Sequence, residues 1–229
     1  MRTLPILFNT EMVRAILDDR KTCTRRVIKD TLKENQEINK NSKGEFKLYD
    51  ITSRCGIPKG KIYNPPYQPG DILYVRETWT DHYVPNEIGK PELQYCYKAD
   101  GVDIKAECLP GENNRWYPSI HMPKEATRIW LKVTDVRVER LQEITDKECI
   151  KEGIYPSNCR NCNATFGCDV CPDEGYDEVD EFVEVWDSTI KKFDLDRYGW
   201  DANPYVWVIE FERFEKSGKE NSNETDRCR

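Results

Sequence analysis

Residues 18–28 read Asp-Asp-Arg-Lys-Thr-Cys-Thr-Arg-Arg-Val-Ile, and the rest of the chain is organised around this segment. The pattern predicts that a helix ends at the two aspartates, that a basic turn follows and that a strand then begins. Side chains alternate along a strand, so Thr24 and Arg26 are expected on one face and Arg25 on the other. Lys21, at the mouth of the strand, completes a set that can bind a phosphate or carbonyl oxygen and activate a hydroxyl. The same composition is also typical of a solvated basic turn.

The composition limits the class of protein. The chain has 229 residues, of which 38% are hydrophobic, so we expect one large domain with a real core, or one domain with an insertion. A net charge of −7 excludes a uniformly basic protein that wraps nucleic acid, but it is compatible with a local basic patch. The sequence has no apolar run of signal-peptide type at its start and no run of about 18 apolar residues. We therefore expect a cytoplasmic protein that does not cross a membrane.

Hydrophobic periodicity predicts an α+β fold in which strands outnumber helices. Thr10 is the expected N-cap of the first helix, and Thr145 with Glu148 forms a capping box that starts the second. Residues 30–57 are polar and aperiodic, so we expect a surface loop with one weak strand, and residues 214–229 are expected to form a disordered tail. The predicted strands are residues 4–7, 22–28, 72–79, 93–99, 127–140 and 205–214, and the predicted helices are residues 10–17, 145–153 and 179–190.

One strand carries a change of phase. Along residues 127–140 the apolar positions alternate through Val133 and resume out of phase at Val136. A strand keeps its period of two unless an extra residue is inserted. The pattern therefore predicts a bulge near Thr134 and Asp135, or a bend where the strand crosses a barrel corner.

The strand over residues 72–79 carries an unexpected carboxylate. Alternation places Glu77 on an apolar face together with Val75 and Trp79. Because an unpaired buried charge is strongly destabilising, Glu77 must be paired, protonated or at the open end of a cavity. Trp79 can wall a pocket by stacking on a flat ligand. The alternative is that Trp79 belongs to the core and Glu77 makes a structural salt bridge.

Four cysteines form the most specific local motif. Cys159 with Cys162 and Cys168 with Cys171 make two C-x-x-C pairs separated by five residues. Such pairs can present four thiolates tetrahedrally to one zinc ion, and without a secretion signal we favour metal binding over disulfides. A closed four-sulfur site leaves no position for substrate, so the zinc ion is expected to stabilise an insertion at residues 154–177. An iron–sulfur cluster and two disulfides are the alternatives.

Several segments of the chain form a recognisable set. They are the apolar strand that leads into the first helix, the turn from Lys21 to Arg26, the turn at residues 68–71 with the strand after it, the segment 116–123, and the last strand. Together they resemble the ASCH family, with the greatest similarity to phage and prophage ASCH-domain proteins, over most of residues 1–213 outside the insertion. The resemblance implies a PUA-like β-barrel with flanking helices, and a cleft for RNA or a modified nucleoside between the first helix and the barrel.

The family motif G-x-K-x-x-E-x-R falls on Asp19, Lys21, Thr24 and Arg26, and only the lysine and the arginine match. Asp19 replaces the glycine and Thr24 the glutamate. With Glu77 further on, the set resembles the small bacterial ASCH amidohydrolase that deacetylates N(4)-acetylcytidine. The resemblance implies that Thr24 is the nucleophile on the acyl carbonyl, that Lys21 takes its proton, and that Glu77 passes a proton to the leaving amine.

Five further residues are candidates for ligand binding. Arg25 and Arg26 follow the turn, Trp79 ends the strand that carries the carboxylate, and Trp116 and His121 lie in an aromatic, proline-rich segment. His121 is one of two histidines in the chain, and it can equally be a structural residue that forms hydrogen bonds.

Three functions are compatible with these residues. The first is an amidohydrolase that acts on an acylated base or nucleoside, the second is a non-catalytic module that binds RNA or a modified base, and the third is an ASCH-type ribonuclease. The acidic composition argues against extended RNA binding, because the neutralisation of many phosphates requires many cations. It does not affect the binding of a single nucleoside.

We predict one zinc ion per chain at the four cysteines. Protein purified without added metal should contain about one equivalent of zinc by elemental analysis. Cys159→Ser should lower the zinc content and the stability of the insertion but leave ligand binding intact, because a closed site does not contact substrate. Cys96→Ser is the control and should keep its zinc, since Cys96 has no ligand spacing. Iron, or free thiols without metal, would contradict the prediction.

Overall fold

The computed structural model describes residues 1–30, 36–50, 57–85, 89–104, 115–155 and 178–215, which form ten strands and four helices. The strands are β1 (Thr3–Leu7), β2 (Cys23–Val27), β3 (Gln36–Lys40), β4 (Phe46–Asp50), β5 (Ile57–Tyr63), β6 (Ile72–Arg76), β7 (Trp79–Pro85), β8 (Pro91–Tyr97), β9 (Trp130–Arg140) and β10 (Tyr205–Arg213). The helices are α1 (Thr10–Leu17), α2 (Asp146–Lys151), α3 (Glu178–Thr189) and α4 (Leu195–Tyr198). Within these ranges, none of the helices combines the length and the apolar character needed to span a bilayer.

The main sheet has five strands in the order β1-β6-β9-β10-β2. β1 and β6 are parallel, whereas β6 with β9, β9 with β10, and β10 with β2 are antiparallel. β3, β4 and β5 form an antiparallel three-stranded sheet, and β7 and β8 form a hairpin. This architecture confirms the α+β class.

The closed barrel is not confirmed, because the main sheet is open in the part of the chain that the structure describes. β1 and β2 are its edge strands, and no strand pairing joins them. A side chain bridges the gap instead: Arg26 Nη2 in β2 donates a hydrogen bond to the carbonyl oxygen of Leu7 in β1, at 3.1 Å. The main sheet therefore curls far enough for its two edge strands to approach each other.

β10 contributes to a hydrophobic core on each face of the main sheet. Trp207, Ile209 and Phe211 face a core that α1 and the three-stranded sheet help to cover. Val206 and Val208 face a second core, which α2 and α3 cover. Alternation along the last strand predicts the first of these faces correctly. A strand that is buried on both faces is expected to be a run of apolar residues, as β10 is over residues 205–209.

The bulge in β9 lies where the sequence predicts it. Glu210 of β10 is opposite Asp135, and the next residue, Phe211, is opposite Val133. Thr134 is therefore the extra residue. The shift keeps apolar side chains of β9 in the core on both sides of the irregularity.

The ends of two helices test the capping predictions. Thr145 precedes α2 and forms the predicted reciprocal capping box with Glu148. α1 begins at the predicted position, but its N-cap is Asn9 and not Thr10. The side-chain oxygen of Asn9 accepts a hydrogen bond from the N–H of Met12 at 2.8 Å, which satisfies one of the free donors at the helix start.

The strand predicted over residues 72–79 is wrong in extent. β6 ends at Arg76 and β7 begins at Trp79, so Glu77 and Trp79 belong to no common strand. The interruption coincides with an ion pair between buried Glu77 and Arg128. Alternation along residues 72–79 cannot detect this partner, because it lies far away in the sequence.

Residues 30–57 contain more regular structure than predicted. Instead of one weak strand, β3 and β4 form a hairpin that continues into β5. The side chain of Asn41 closes the hairpin by accepting two backbone N–H groups of the loop, each at 2.9 Å. These strands carry few apolar side chains. Three of them, those of Ile38, Phe46 and Leu48, lie in the same core as Trp207.

Gly153, which follows α2, allows the Lys21 turn to pack closely. Its φ is +100°, and a Cβ added there would lie 2.8 Å from the Cβ of Ala15 and 3.3 Å from the Cβ of Lys21. Gly101 also has a positive φ, of +75°, but an added Cβ would meet nothing within 4 Å. Substitution at these two positions therefore distinguishes the effect of close packing from the effect of backbone strain.

We expect Gly153→Ala to lower the free energy of unfolding by about 3 kcal/mol, because backbone strain and overpacking add. Gly101→Ala should cost about 1 kcal/mol, from the backbone alone. Urea unfolding of both variants measures the difference. Equal effects would show that the packing of α1 against the turn is looser than the structure indicates.

Candidate functional site

A cavity of about 350 Å³, the first cavity, lies at the free edge of β2 between α1 and α3. Three consecutive residues of β2, Thr24 to Arg26, line it, so it reaches both faces of the strand. Most of its surface is apolar, and a mainly apolar concave site with a few polar groups is typical of small-ligand binding. The apolar and aromatic wall residues are Met12, Ala15, Tyr155, Phe182, Val185 and Trp186.

Thr24 is one of the residues that line the first cavity. Its backbone is fixed opposite Ile209 of β10, and only 1% of the residue is exposed. With the residues that the structure describes, the Thr24 hydroxyl forms no hydrogen bond. The oxygen is therefore available to a ligand in the cavity.

Lys21 lies beside the first cavity in a buried ion pair. Its side chain is 0% exposed, and Nζ donates to Oε2 of Glu152 at 2.7 Å and to the Glu152 carbonyl oxygen at 2.6 Å. The turn that delivers Lys21 is fixed by α1, because the carbonyl oxygen of Ala15 accepts the N–H groups of both Arg20 and Lys21 at 2.9 Å. The ammonium charge is thus balanced by a carboxylate at hydrogen-bond distance.

Arg25 faces the second core, opposite to Thr24 as predicted, and is the centre of a charged network. Its guanidinium is buried between three carboxylates. These are Glu139 at 3.2 Å, Glu148 at 3.1 Å and Glu152 at 3.2 Å. Arg137 of β9 extends the network to Glu148 at 2.6 Å and to Glu210 of β10 at 2.7 Å. The network therefore connects β2, β9, β10 and the α2 region, and each buried charge in it is paired.

Cys23 borders this network but is not a candidate nucleophile. Its sulfur lies 3.5 Å from Oε1 of Glu152. Burial raises the pKa of the Cys23 thiol well above its ordinary value, and the negative charge of Glu152 adds to that shift. A neutral buried thiol is a poor nucleophile, so Thr24 is the better candidate.

Glu77 is buried after β6 and pairs with Arg128, not with Lys21. Its two carboxylate oxygens accept hydrogen bonds from Nε and Nη2 of Arg128, each at 3.0 Å, and Arg128 also pairs with Asp100 at 2.8 Å. Burial raises the pKa of Glu77, although Arg128 opposes that shift. Among the residues described, no hydrogen bond or ion pair links Glu77 to Lys21 or Thr24.

Phe8 lies between the Lys21 turn and the segment that carries Glu77. Its N–H donates to the carbonyl oxygen of Arg76, the residue before Glu77, at 3.2 Å, and its ring centroid lies 5.7 Å from Nζ of Lys21. The three predicted catalytic residues therefore divide into two groups. Thr24 lines the first cavity, Lys21 pairs with Glu152 of the cavity lining, and Glu77 belongs to a separate ion pair.

The five predicted ligand-binding residues are also divided. Arg25 and Arg26 line the first cavity. Trp79 belongs to a buried aromatic cluster, with two tyrosine ring centroids at 5.2 and 5.8 Å, which is the core alternative. Trp116 and His121 line neither of the cavities at β2, and His121 is exposed.

A second cavity, of about 470 Å³, continues from the first. Ser119, from the proline-rich segment of the sequence, lines it, so this segment does reach the cleft. Burial lowers the pKa of Arg26, which stands where the two cavities meet. The residues that line both cavities are Asn9, Met12, Arg26 and Thr189.

The four predicted zinc ligands, Cys159, Cys162, Cys168 and Cys171, lie outside the described residues. In the ranges that are described, no group of three or more His, Cys, Asp or Glu side chains has an arrangement that would hold a metal ion. Zinc binding by the four cysteines therefore stays a prediction. Its test is metal analysis of the whole chain.

Glu152 is the main site residue that sequence reasoning missed. It lies four residues after Glu148, and that spacing places both carboxylates on one side of a helical segment. The capping box draws attention to Glu148 alone. Only the packing of α2 against β2 brings Glu152 to Lys21 and Arg25, so no local pattern identifies it.

The comparisons with known proteins leave the family open. The chain was compared with models of protein families, with curated proteins and with solved structures, and none of these comparisons gave a match. The function is therefore proposed from the geometry of the site and from the resemblance of the motifs.

The pairing of Glu148 in the charged network predicts how the free energy of unfolding depends on pH. Burial acts to raise the pKa of Glu148, but the charges of Arg25 and Arg137 and the N–H of Thr145 outweigh burial and lower that pKa. A carboxylate with a lowered pKa stabilises the fold above its unfolded pKa of about 4.3, and this contribution is lost as the pH falls through the folded pKa. We expect Glu148→Gln to lower the free energy of unfolding by about 2 kcal/mol at pH 7.

The difference between wild type and Glu148→Gln should shrink below about pH 4, because the wild type then loses the same charge. Urea unfolding at several pH values measures it. Glu11→Gln is the matched control, since Glu11 forms an exposed pair with Arg14 and should have little effect at any pH. A difference that does not change with pH would contradict the assigned role of the charge.

Proposed function

We propose that this protein binds a modified nucleoside in the first cavity and hydrolyses an acyl amide on its base, with Thr24 as the nucleophile. The observation that carries the proposal is the hydroxyl of Thr24, which is free of hydrogen bonds to the described residues and lies in a mainly apolar cavity. Glu152, which pairs with Lys21, lines the same cavity. A hydroxyl that is accompanied by groups able to move a proton is the requirement for covalent acyl transfer.

The walls of the first cavity suit a flat aromatic base. Phe182 and Trp186 of α3 supply aromatic surface, and such rings favour stacking on flat groups. A volume of about 350 Å³ is at the lower end of the range for small-molecule sites. Arg26 and Glu152 offer a donor and an acceptor for the polar edge of the base.

The charges at the first cavity favour a nucleoside over an RNA strand. Three carboxylates and three guanidinium groups line it, so it has no excess of positive charge. Arg25 is further neutralised by its own carboxylate partners. An RNA strand requires cations that are free to contact phosphates, which weakens the ribonuclease hypothesis. The six charged residues are Glu11, Glu152, Glu181, Arg20, Arg25 and Arg26.

The proposed reaction has two stages. Thr24 Oγ1 attacks the acyl carbonyl, and the amine of the base leaves, so that an acyl ester of Thr24 remains. Water then hydrolyses the ester and regenerates the hydroxyl. Lys21 cannot simply accept the first proton, because the ammonium group that pairs with Glu152 has no lone pair. It can take that proton only if it passes one of its own to the carboxylate.

The proposal includes membership of the ASCH family with a PUA-like fold. Support comes from the order β1, α1, Lys21 turn, β2, and from a cleft beside α1 where the resemblance implies one. The curled main sheet, whose edges are bridged by Arg26, is compatible with a barrel that is incomplete in the described ranges. The cytoplasmic location and the structural zinc ion are parts of the same proposal.

A non-catalytic binding module is the second candidate. It is favoured by the ion pairs, because Lys21 and Glu77 are each engaged by a partner that limits their part in chemistry. The first cavity would then hold the modified base without altering it. Both candidate functions predict the same ligand, but only the hydrolase would convert it to product.

Free N(4)-acetylcytidine is the substrate that tests the proposal. The wild type should release acetate and cytidine at high salt as well as at low salt, since no phosphate contact is involved. Thr24→Val should lower kcat by at least about a hundredfold and leave the dissociation constant of cytidine nearly unchanged, because it removes the hydroxyl and keeps the shape. Chromatography of the products and calorimetry of cytidine binding measure the two effects.

Thr22→Val is the matched control, because Thr22 is exposed and lies outside the cavity lining. It should behave like the wild type. Binding of the nucleoside without turnover would select the non-catalytic module. Salt-sensitive cleavage of RNA would instead revive the ribonuclease hypothesis.

A further inference from the structure

Glu152 occupies a position that no other carboxylate in the described ranges shares. It lines the first cavity and also contacts Lys21. Its side chain is 7% exposed, with Oε2 at 2.7 Å from Lys21 Nζ and Oε1 at 3.2 Å from Arg25 Nη1. Each carboxylate oxygen has more than one acceptor site, so both can still accept a proton from a ligand or a neighbour.

Each neighbouring carboxylate either lies outside the cavity lining or forms no ion pair with Lys21. Glu139 and Glu148 pair with Arg25, but they do not line the first cavity. Glu11 and Glu181 line it, but no ion pair connects them to Lys21 among the described residues. The environment of Glu152 therefore differs from that of a purely structural partner of Arg25.

We propose that Glu152, and not Glu77, is the carboxylate that moves protons during the acyl transfer; this inference rests on the proposed hydrolysis at Thr24. The geometry supports it because Glu152 is hydrogen-bonded to Lys21, whereas both oxygens of Glu77 are held by Arg128. Glu152 takes the role that the motif resemblance gives to Glu77. Lys21 is the hydrogen-bonded partner of this carboxylate, and Thr24 and Glu152 line the same cavity.

The proton balance of the first stage closes with these groups. The Oγ1–C bond forms, the hydroxyl proton of Thr24 passes through Lys21 to Glu152, and the carbonyl oxygen becomes an oxyanion. When the oxyanion reverts to a carbonyl group, the C–N bond breaks and Glu152 returns the proton to the leaving amine. The carboxylate is then ionised again, and the acyl group is an ester of Thr24.

The second stage runs in the reverse sense. Water adds to the ester, its proton passes to Glu152, and the Oγ1–C bond breaks. Thr24 recovers its proton from Glu152, and the carboxylic acid is released. The sum is an amide and water converted to an acid and an amine, and no other reagent is required.

Three glutamine variants test the assignment on the full chain with N(4)-acetylcytidine. Glu152→Gln should lower kcat by at least about a hundredfold with little change in KM, because it removes proton transfer and keeps the shape. Glu139→Gln is the matched control: it alters another partner of Arg25 outside the cavity and should keep the activity. Glu77→Gln should also keep kcat, although it weakens the pair with Arg128. Thermal unfolding verifies that each variant is folded.

The outcomes separate this inference from the proposed function. No turnover by the wild type overturns both. A wild type that turns over while Glu152→Gln matches Glu139→Gln overturns only the role of Glu152, and loss of activity in Glu77→Gln alone would restore Glu77. If Glu152→Gln does not fold, Glu152→Asp keeps the charge and withdraws the carboxylate by one methylene. Its kcat should fall more than about tenfold, and full activity would overturn the assignment.

Discussion

The pairing of buried charges around β2 is the constraint on which the rest of the structure depends. Lys21 and Arg25 have no exposed side-chain surface, and removing such charges from water is strongly unfavourable unless each finds a partner. Glu139, Glu148 and Glu152 supply those partners from β9 and from the α2 region. The strand cannot shift without separating these pairs, so α2 and the main sheet are fixed relative to each other.

The same pairs shape the candidate site. Glu152 neutralises Lys21 and also forms part of the cavity lining, so the stability of this region and the proposed reaction depend on one carboxylate. A group with both duties is held in a fixed place, and that is an advantage for proton transfer over short distances. It also means that substitution of Glu152 affects the fold, which is why the control at Glu139 is informative. A purely structural network would not need a member that reaches the cavity.

Local patterns predict much of the fold, and contacts between distant residues account for what they miss. The bulge at Thr134 and the capping box at Thr145 depend on a few neighbouring residues, and both are confirmed. β6 ends before Glu77, whose partner Arg128 is distant in sequence, and the position of Glu152 depends on how α2 packs. The same limit applies to the candidate site: Lys21 and Arg25 are close in sequence, whereas Glu152, the carboxylate that pairs with both, is distant.

The edge of β2 that faces away from β10 borders the first cavity in the part of the chain that the structure describes. An edge strand has backbone N–H and C=O groups that point away from its only partner, and proteins normally protect such groups. Here α1 and α3 border a cavity along that edge, and Arg26 crosses to Leu7 without pairing the strands. The polar edge of a base carries donors and acceptors in a plane, as a neighbouring strand does. Under the proposed function, a base in the first cavity would lie beside the outer edge of β2, whereas the backbone of Thr24 is paired with Ile209 of β10.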